Sequence, residues 1–204
     1  MQTVETVDVK TVIKDSLDKG MRYAEYRAMV DDLVERNTTT GNNKSEAMIE
    51  FTKLNQRRMK RWDKTLKVSE EAIQTIKKNK AKTTWLLITE SWCGDAAHIV
   101  PAINKVAEQN EAIDLKLVLR DENEDLINAF LTNGGKAIPK LIALDETLNV
   151  IDTFGPRPNY ATKLVEEYKA EFGKLTPEFK EELQRWYNKD KGQSTVEDLV
   201  NLLK

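Results

Sequence analysis

Apolar positions along this chain change their period part of the way through. Up to about residue 80 they recur at helical spacing: Val9, Val12, Ile13 and Leu17 form one stripe closing at Gly20, and Tyr23, Tyr26, Val30 and Leu33 form a second. The polar cluster Thr38-Thr39-Thr40-Gly41-Asn42-Asn43 reads as a loop. A longer helix is predicted from about Ser45, with Met48, Phe51, Asn55, Met59, Trp62 and Leu66 on one side, and Ser69-Glu70-Glu71 caps another. Thr84 to Thr89 then forms a continuous apolar, β-prone run, the pattern of a strand buried on both faces. Leu115 to Leu119 is predicted as a second strand parallel to it, and Lys140 to Leu144 with Asn149 to Thr153 as a hairpin. Three further helical stripes follow Gly155-Pro156: Tyr160, Leu164, Tyr168 and Phe172; Phe179, Leu183, Trp186 and Tyr187; Val196, Leu199, Val200 and Leu203.

The chain's single cysteine lies where the first strand gives way to a helix, in Ser91-Trp92-Cys93-Gly94-Asp95-Ala96-Ala97-His98. The N-terminus of a helix offers unpaired amides and the positive end of the dipole, both of which favour an anion such as a thiolate. An ordinary thiol is only about 3% ionised at pH 7, so a modest fall in pKa multiplies the nucleophile. A lone cysteine is most often a small buried hydrophobe; here its neighbours argue for chemistry.

Trp92, Cys93, Gly94 and the later Pro101 resemble the active site of the thioredoxin family, in which Trp-Cys-Gly-Pro-Cys opens a helix that carries a proline further along. Ile138-Pro139 before the third strand resembles the family's cis-proline pair, and Phe154-Gly155 the glycine that ends its last strand. The resemblance spans about residues 69 to 172 and is nearest to bacterial thioredoxin-like proteins with a single-cysteine Trp-Cys-Gly-Asp motif. It implies an α/β thioredoxin-like fold, a central mixed sheet of about four strands flanked by helices. Residues 1–68 would form a helical N-terminal extension, 69–172 the thioredoxin-like domain, and 173–204 a C-terminal helical extension packed on the core.

Departures from the family pattern narrow the chemistry. The family's second cysteine, which resolves the mixed disulfide, is replaced by Ala96, and the chain holds no other thiol. The buried Asp and Lys that serve the resolving step correspond to Leu87 and about Leu117. Glu90 and Asp95 oppose thiolate formation while Lys136 and Lys140 favour it, and a modest fall in the Cys93 pKa is the working expectation. His98 lies about 140° around a helix from Cys93, so it reads as a surface histidine pointing away from the thiol. Trp92 reads as half-buried beside the cysteine.

Composition removes several alternatives. A net charge of −2 gives no overall attraction to nucleic acid or an anionic membrane. No run approaches the roughly 18 apolar residues of a membrane span. The opening Met1 to Thr6 has neither a basic start nor an apolar core, and a single free cysteine fits a reducing compartment, so the chain reads as cytoplasmic. Asp121-Glu122-Asn123-Glu124-Asp125 lacks the glycine and final glutamate of a calcium loop and reads as the acidic start of a helix ending at Gly134. The basic run Arg57 to Arg61 is interrupted by apolar residues at helical spacing and reads as a solvated face. Neither a metal site nor a cofactor is expected. A peroxidase is not supported, because the proline and threonine usual before a peroxidatic cysteine are absent here, Leu86 and Glu90 standing in their places.

The expected activity is monothiol thiol-disulfide exchange serving redox homeostasis, with Cys93 as nucleophile and an external thiol completing the reaction. Trp92, Gly94, Asp95, Ile138 and Pro139 would position the substrate, either a disulfide-containing protein or a low-molecular-weight thiol. The alternative is a redox-inactive binding or adaptor module. The oligomeric state is not legible from the pattern.

Overall fold

Residues 8–203 are described by the computed structural model; the opening segment read for a leader, Met1 to Thr6, lies outside the described residues. Four helices come first: α1 (Val9–Asp18), α2 (Tyr23–Glu35), α3 (Glu46–Thr65) and α4 (Glu70–Lys78). Asp8 caps α1 by accepting from the Lys10 N–H, and Ser69 caps α4 by accepting from the Ala72 N–H at 3.2 Å. The core follows as β1 (Thr83–Thr89), α5 (Ala96–Ala107), β2 (Ile113–Leu119), a 3-10 turn at Arg120–Glu122, α6 (Glu124–Ala129), β3 (Lys140–Leu144) and β4 (Val150–Phe154). Helices α7 (Asn159–Phe172), α8 (Pro177–Asp190) and α9 (Gln193–Leu202) complete the described residues.

The sheet has the expected four strands, in the order β2-β1-β3-β4, with β1 parallel to β2 and antiparallel to β3. β1 is central, and Trp85, Leu86, Leu87 and Ile88 are fully buried. Burial of each such side chain contributes roughly 1.5–3 kcal/mol, which holds the strand that leads to Cys93. Leu87 and Leu117 are register partners across β1 and β2, so an apolar pair lies where the family's proton-handling residues would face each other. On the outer edge of β2, Met21 exchanges both backbone hydrogen bonds with Leu117, and this single bridge follows the turn between α1 and α2.

Helix α5 is buried along almost its whole circumference, packed by α3 and α9. A helix apolar on all sides needs cover on all sides, and the flanking helices supply it. Pro101 within α5 has no N–H to donate, and its ring sits in this buried packing.

Three predicted details differ. The acidic helix ends at Ala129 rather than Gly134, because Thr132 and Gly135 pair their backbones in a tight bridge. On α7 the buried residues are Ala161 and Val165; of the predicted stripe, Leu164 and Tyr168 pack half-buried against the core while Tyr160 and Phe172 stay exposed, so the stripe only partly faces the core. On α3 the predicted side divides: Asn55, Met59 and Trp62 are buried, but Phe51 is 47% exposed at the end nearest Cys93.

Candidate functional site

Strand β1 delivers Trp92 and Cys93 through a short turn whose anchor is Ser91. The Ser91 hydroxyl lies 3.0 Å from the Thr40 and Thr52 hydroxyls and 3.2 Å from that of Thr39, and it accepts from the Thr40 N–H at 3.1 Å. Thr40 Oγ1 in turn accepts from the Ser91 N–H at 2.9 Å, and Asn55 Nδ2 donates to the Ser91 carbonyl at 3.0 Å. All these groups are buried. A fully paired buried cluster rigidifies what it holds, and here it fixes the turn that presents the thiol. The loop predicted at Thr38 to Asn43 is thus folded under the site, its threonines buried although the segment is polar. Gly41 belongs to the same arrangement, with φ +77°: an added Cβ would come within 3.0 Å of the Trp92 indole nitrogen and 2.7 Å of Asp121 Oδ2.

Cys93 is 8% exposed, and its thiol donates to the Ile138 carbonyl at 3.3 Å. The Ile138-Pro139 peptide bond is cis, and both residues are buried behind the sulfur. Gly155 approaches this pair so closely that a Cβ would lie 2.3 Å from the Pro139 carbonyl oxygen, at a φ of +110° that side chains avoid.

The expected fall in the thiol's pKa is overturned. Burial, and next the Asp95 carboxylate, push Cys93 up to about 12, outweighing the Ala96 and Asp95 N–H groups and the Arg157 guanidinium, which favour the thiolate. The cations proposed from sequence are engaged elsewhere: Lys136 pairs with Glu124 at 2.5 Å, and Lys140 donates to the Thr132 hydroxyl at 3.3 Å. Glu90 is fully buried, accepts from the Asp121 N–H at 2.9 Å, and is held above the usual carboxylate range by its burial.

Arg157, which the sequence pattern did not single out, is the cation that favours the Cys93 thiolate. Its Nη2 lies 2.6 Å from Asp95 Oδ2. Tyr187 Oη donates to the other carboxylate oxygen at 3.0 Å, and burial followed by Asp95 holds that phenol well above its ordinary pKa, so it remains a donor. Asp95 is therefore a joint between α5, the segment after β4 and α8 rather than a free carboxylate.

His98 is buried, not a surface histidine. Trp62 Nε1–H donates to His98 Nδ1 at 3.0 Å, and Nε2 lies 2.8 Å from Gln184 Oε1. The imidazole also stacks on Tyr187, with 4.5 Å between ring centroids and 6° between planes. Burial lowers its pKa to about 4, so the ring is neutral, with Nδ1 accepting and the Nε2–H donating. Helical spacing does turn it from the thiol, but α3 and α8 cover the face it occupies.

In front of Cys93 lies a cleft of about 580 Å³ between α3 and α8. Trp92, Cys93, Gly94 and Asp95 line it together, whereas Ile138 and Pro139 do not reach its surface. Met48, Phe51 and Leu54 form one wall, and Leu175 and Leu183 the other. Trp92 is half-buried at the edge, with the Arg120 guanidinium 4.9 Å over its ring. Arg58 also lines the cleft, so the basic run is not wholly a solvated face. Among the described residues no cluster of histidine, cysteine and carboxylate ligands is positioned to hold a metal ion, and no helix is long and apolar enough to cross a membrane.

Comparison with known proteins places this architecture. No curated protein matches the chain. Among solved structures, it is similar to a protein of unknown function from Pseudomonas aeruginosa, with a TM-score of 0.65 at 16% identity, covering 93% of this chain and 95% of that one. An HIV epitope-scaffold is similar with a TM-score of 0.62 at 15% identity, covering 93% and 96%. These likenesses concern the fold. Residues 41–169 match the family model described as thioredoxin, a span running from the loop beneath Ser91 through β4 into α7. The chain belongs to the thioredoxin family.

Proposed function

We propose that this protein carries out monothiol thiol-disulfide exchange at Cys93. The observation that carries the reading is the thiol's position: it opens onto a ligand-sized cleft at the start of α5, with Ala96 where a resolving thiol would stand. In the first step Cys93 loses its proton to solvent and its sulfur attacks one sulfur of a disulfide R–S–S–R′. The R′ thiolate leaves and takes up a proton, and Cys93 is left in a mixed disulfide with R. An external thiolate then attacks the R sulfur, and Cys93 is released. Electrons are conserved throughout, since one disulfide replaces another.

The high pKa sets the rate. A thiol pushed up to about 12 has roughly 3,000-fold less thiolate at pH 7 than an ordinary one. Its thiolate is intrinsically more nucleophilic, by about 30- to 60-fold on the usual Brønsted slope. The net handicap is roughly a hundredfold, which binding of the disulfide beside the sulfur can offset through effective concentration. A reducing compartment would supply the releasing thiol.

A second reading, a redox-inactive binding module built on the same cleft, is favoured by the burial of Cys93 and its upward pKa. Intact mass of wild-type protein purified without reductant separates the two. The exchange reading expects an adduct removed by dithiothreitol and missing from Cys93→Ser; an unmodified Cys93 that no disulfide derivatises supports the binding module.

A further inference from the structure

Two hydrogen-bond donors, Arg58 and the Gln184 amide, line the cleft beside Gly94, and neither is paired with a carboxylate among the described residues; the exposed Glu181 also lines the cleft but makes no ion pair with Arg58. Arg58 on α3 is half-buried; it donates to Asn55 Oδ1 at 3.1 Å and has no carboxylate partner among the described residues. The nearest ion pair in the cleft, Arg157 with Asp95, is already neutralised at 2.6 Å. Burial, and then the charge of Arg61, lower the Arg58 pKa. A half-buried cation without a counter-ion is costly, and an anion delivered by a ligand relieves that cost.

The second donor is Gln184 on α8. Its Oε1 is taken by the His98 Nε2–H, and His98 is itself oriented by the Trp62 Nε1–H. This chain leaves the Gln184 amide nitrogen directed at the cleft. An added Cβ at Gly94 would lie 3.9 Å from both Arg58 Nη1 and Gln184 Nε2, so the two donors flank the residue after the cysteine. Met48, the exposed Phe51, Leu54, Leu175 and Leu183 supply apolar, adaptable wall, and the exposed Lys180 and Glu181 of α8 stand at the rim with opposite charges.

We propose that the cleft binds a small disulfide with an apolar body and a carboxylate, the carboxylate held by Arg58 and Gln184 Nε2 and the S–S bond lying at Cys93. The proposal extends the exchange reading from reaction to substrate class and rests on that reading for the covalent step alone. The volume of about 580 Å³ suits a small ligand, and residues of α3 and α8 flank the thiol on either side.

The test compares three disulfides: dithiobis(nitrobenzoate), which is aromatic and anionic; dithiodipyridine, aromatic and neutral; and cystamine, cationic. Each rate in Arg58→Gln and Arg58→Lys is expressed relative to wild type, which cancels leaving-group differences, and binding of dithiobis(nitrobenzoate) to Cys93→Ser is measured by calorimetry. Arg58→Gln is expected to slow the anionic reagent by about tenfold or more while leaving the neutral one within about twofold, and Arg58→Lys to retain part of the preference. Calorimetry is expected to show binding to Cys93→Ser that is lost when Arg58→Gln is added. Equal sensitivity of all three reagents to Arg58→Gln overturns the carboxylate site and leaves exchange standing. Binding to Cys93→Ser without reaction in wild type supports the site and overturns exchange; neither binding nor reaction overturns both.

Discussion

Tyr187 donates its phenolic hydrogen to Asp95 at 3.0 Å across 92 positions of sequence, tying α8 to the carboxylate two residues after the cysteine. The far end of the chain thus helps set the charge environment of the thiol. Loss of this bond in Tyr187→Phe keeps the ring stacked on His98 but leaves one Asp95 oxygen to Arg157 and solvent. The variant is expected to lose about 1–2 kcal/mol, read as a lower urea midpoint at unchanged slope. An unchanged midpoint would show that the contact contributes nothing to the fold.

Alkylation of Cys93 by iodoacetamide should show a midpoint well above the 8.5 of an ordinary thiol, because burial first and Asp95 second both penalise the thiolate. Asp95→Asn removes the carboxylate and leaves the Arg157 cation, so the midpoint should fall and the rate at pH 7 rise by about tenfold. Arg157→Gln should act in the opposite direction. A wild-type midpoint at or below 8.5 contradicts the electrostatic account of the site.

Acid stability should carry the signature of His98. Its folded pKa is pushed down to about 4 by burial, against 6.5 for the free side chain. Between those values the unfolded chain binds the additional proton, so stability increases with pH. The contribution is complete above about pH 6.5 and lost as pH falls toward 4, with a total of roughly 3 kcal/mol. Urea midpoints at several pH values in wild type and His98→Gln would isolate this slope. The sole histidine also permits direct NMR titration, and a midpoint near 6.5 in the native protein rules out the buried neutral ring.

Gly155→Ala should be severely destabilising. The new methyl would meet the Pro139 carbonyl oxygen at 2.3 Å, at a positive φ, and the obstacle is backbone that cannot swing aside. A loss of about 3 kcal/mol or more is expected by chemical denaturation. Gly173→Ala provides the contrast, since nothing lies within 4 Å of its Cβ position and only its positive φ of 75° opposes the change.

The features legible in the chain alone are local and periodic. The β-prone run of β1, the stripes of α1 and α2, the Ser69 cap and the hairpin of β3 and β4 follow from residue spacing, because backbone pairing and side-chain period are properties of contiguous segments. The absence of a second thiol is also plain in the chain, and with it the need for an external partner in any exchange. The environment of that thiol, by contrast, arises from segments brought together by folding. Spacing turned His98 away from Cys93 correctly, yet its burial depends on α3 and α8 closing over that face. Arg157, and not Lys136 or Lys140, became the neighbouring cation because the segment after β4 returns to the start of α5. The threonines of an ordinary-looking polar loop became the buried support of Ser91. A pKa is the summed effect of burial and every nearby charge in space, so the direction in which Cys93 shifts was settled by contacts that one-dimensional pattern does not encode.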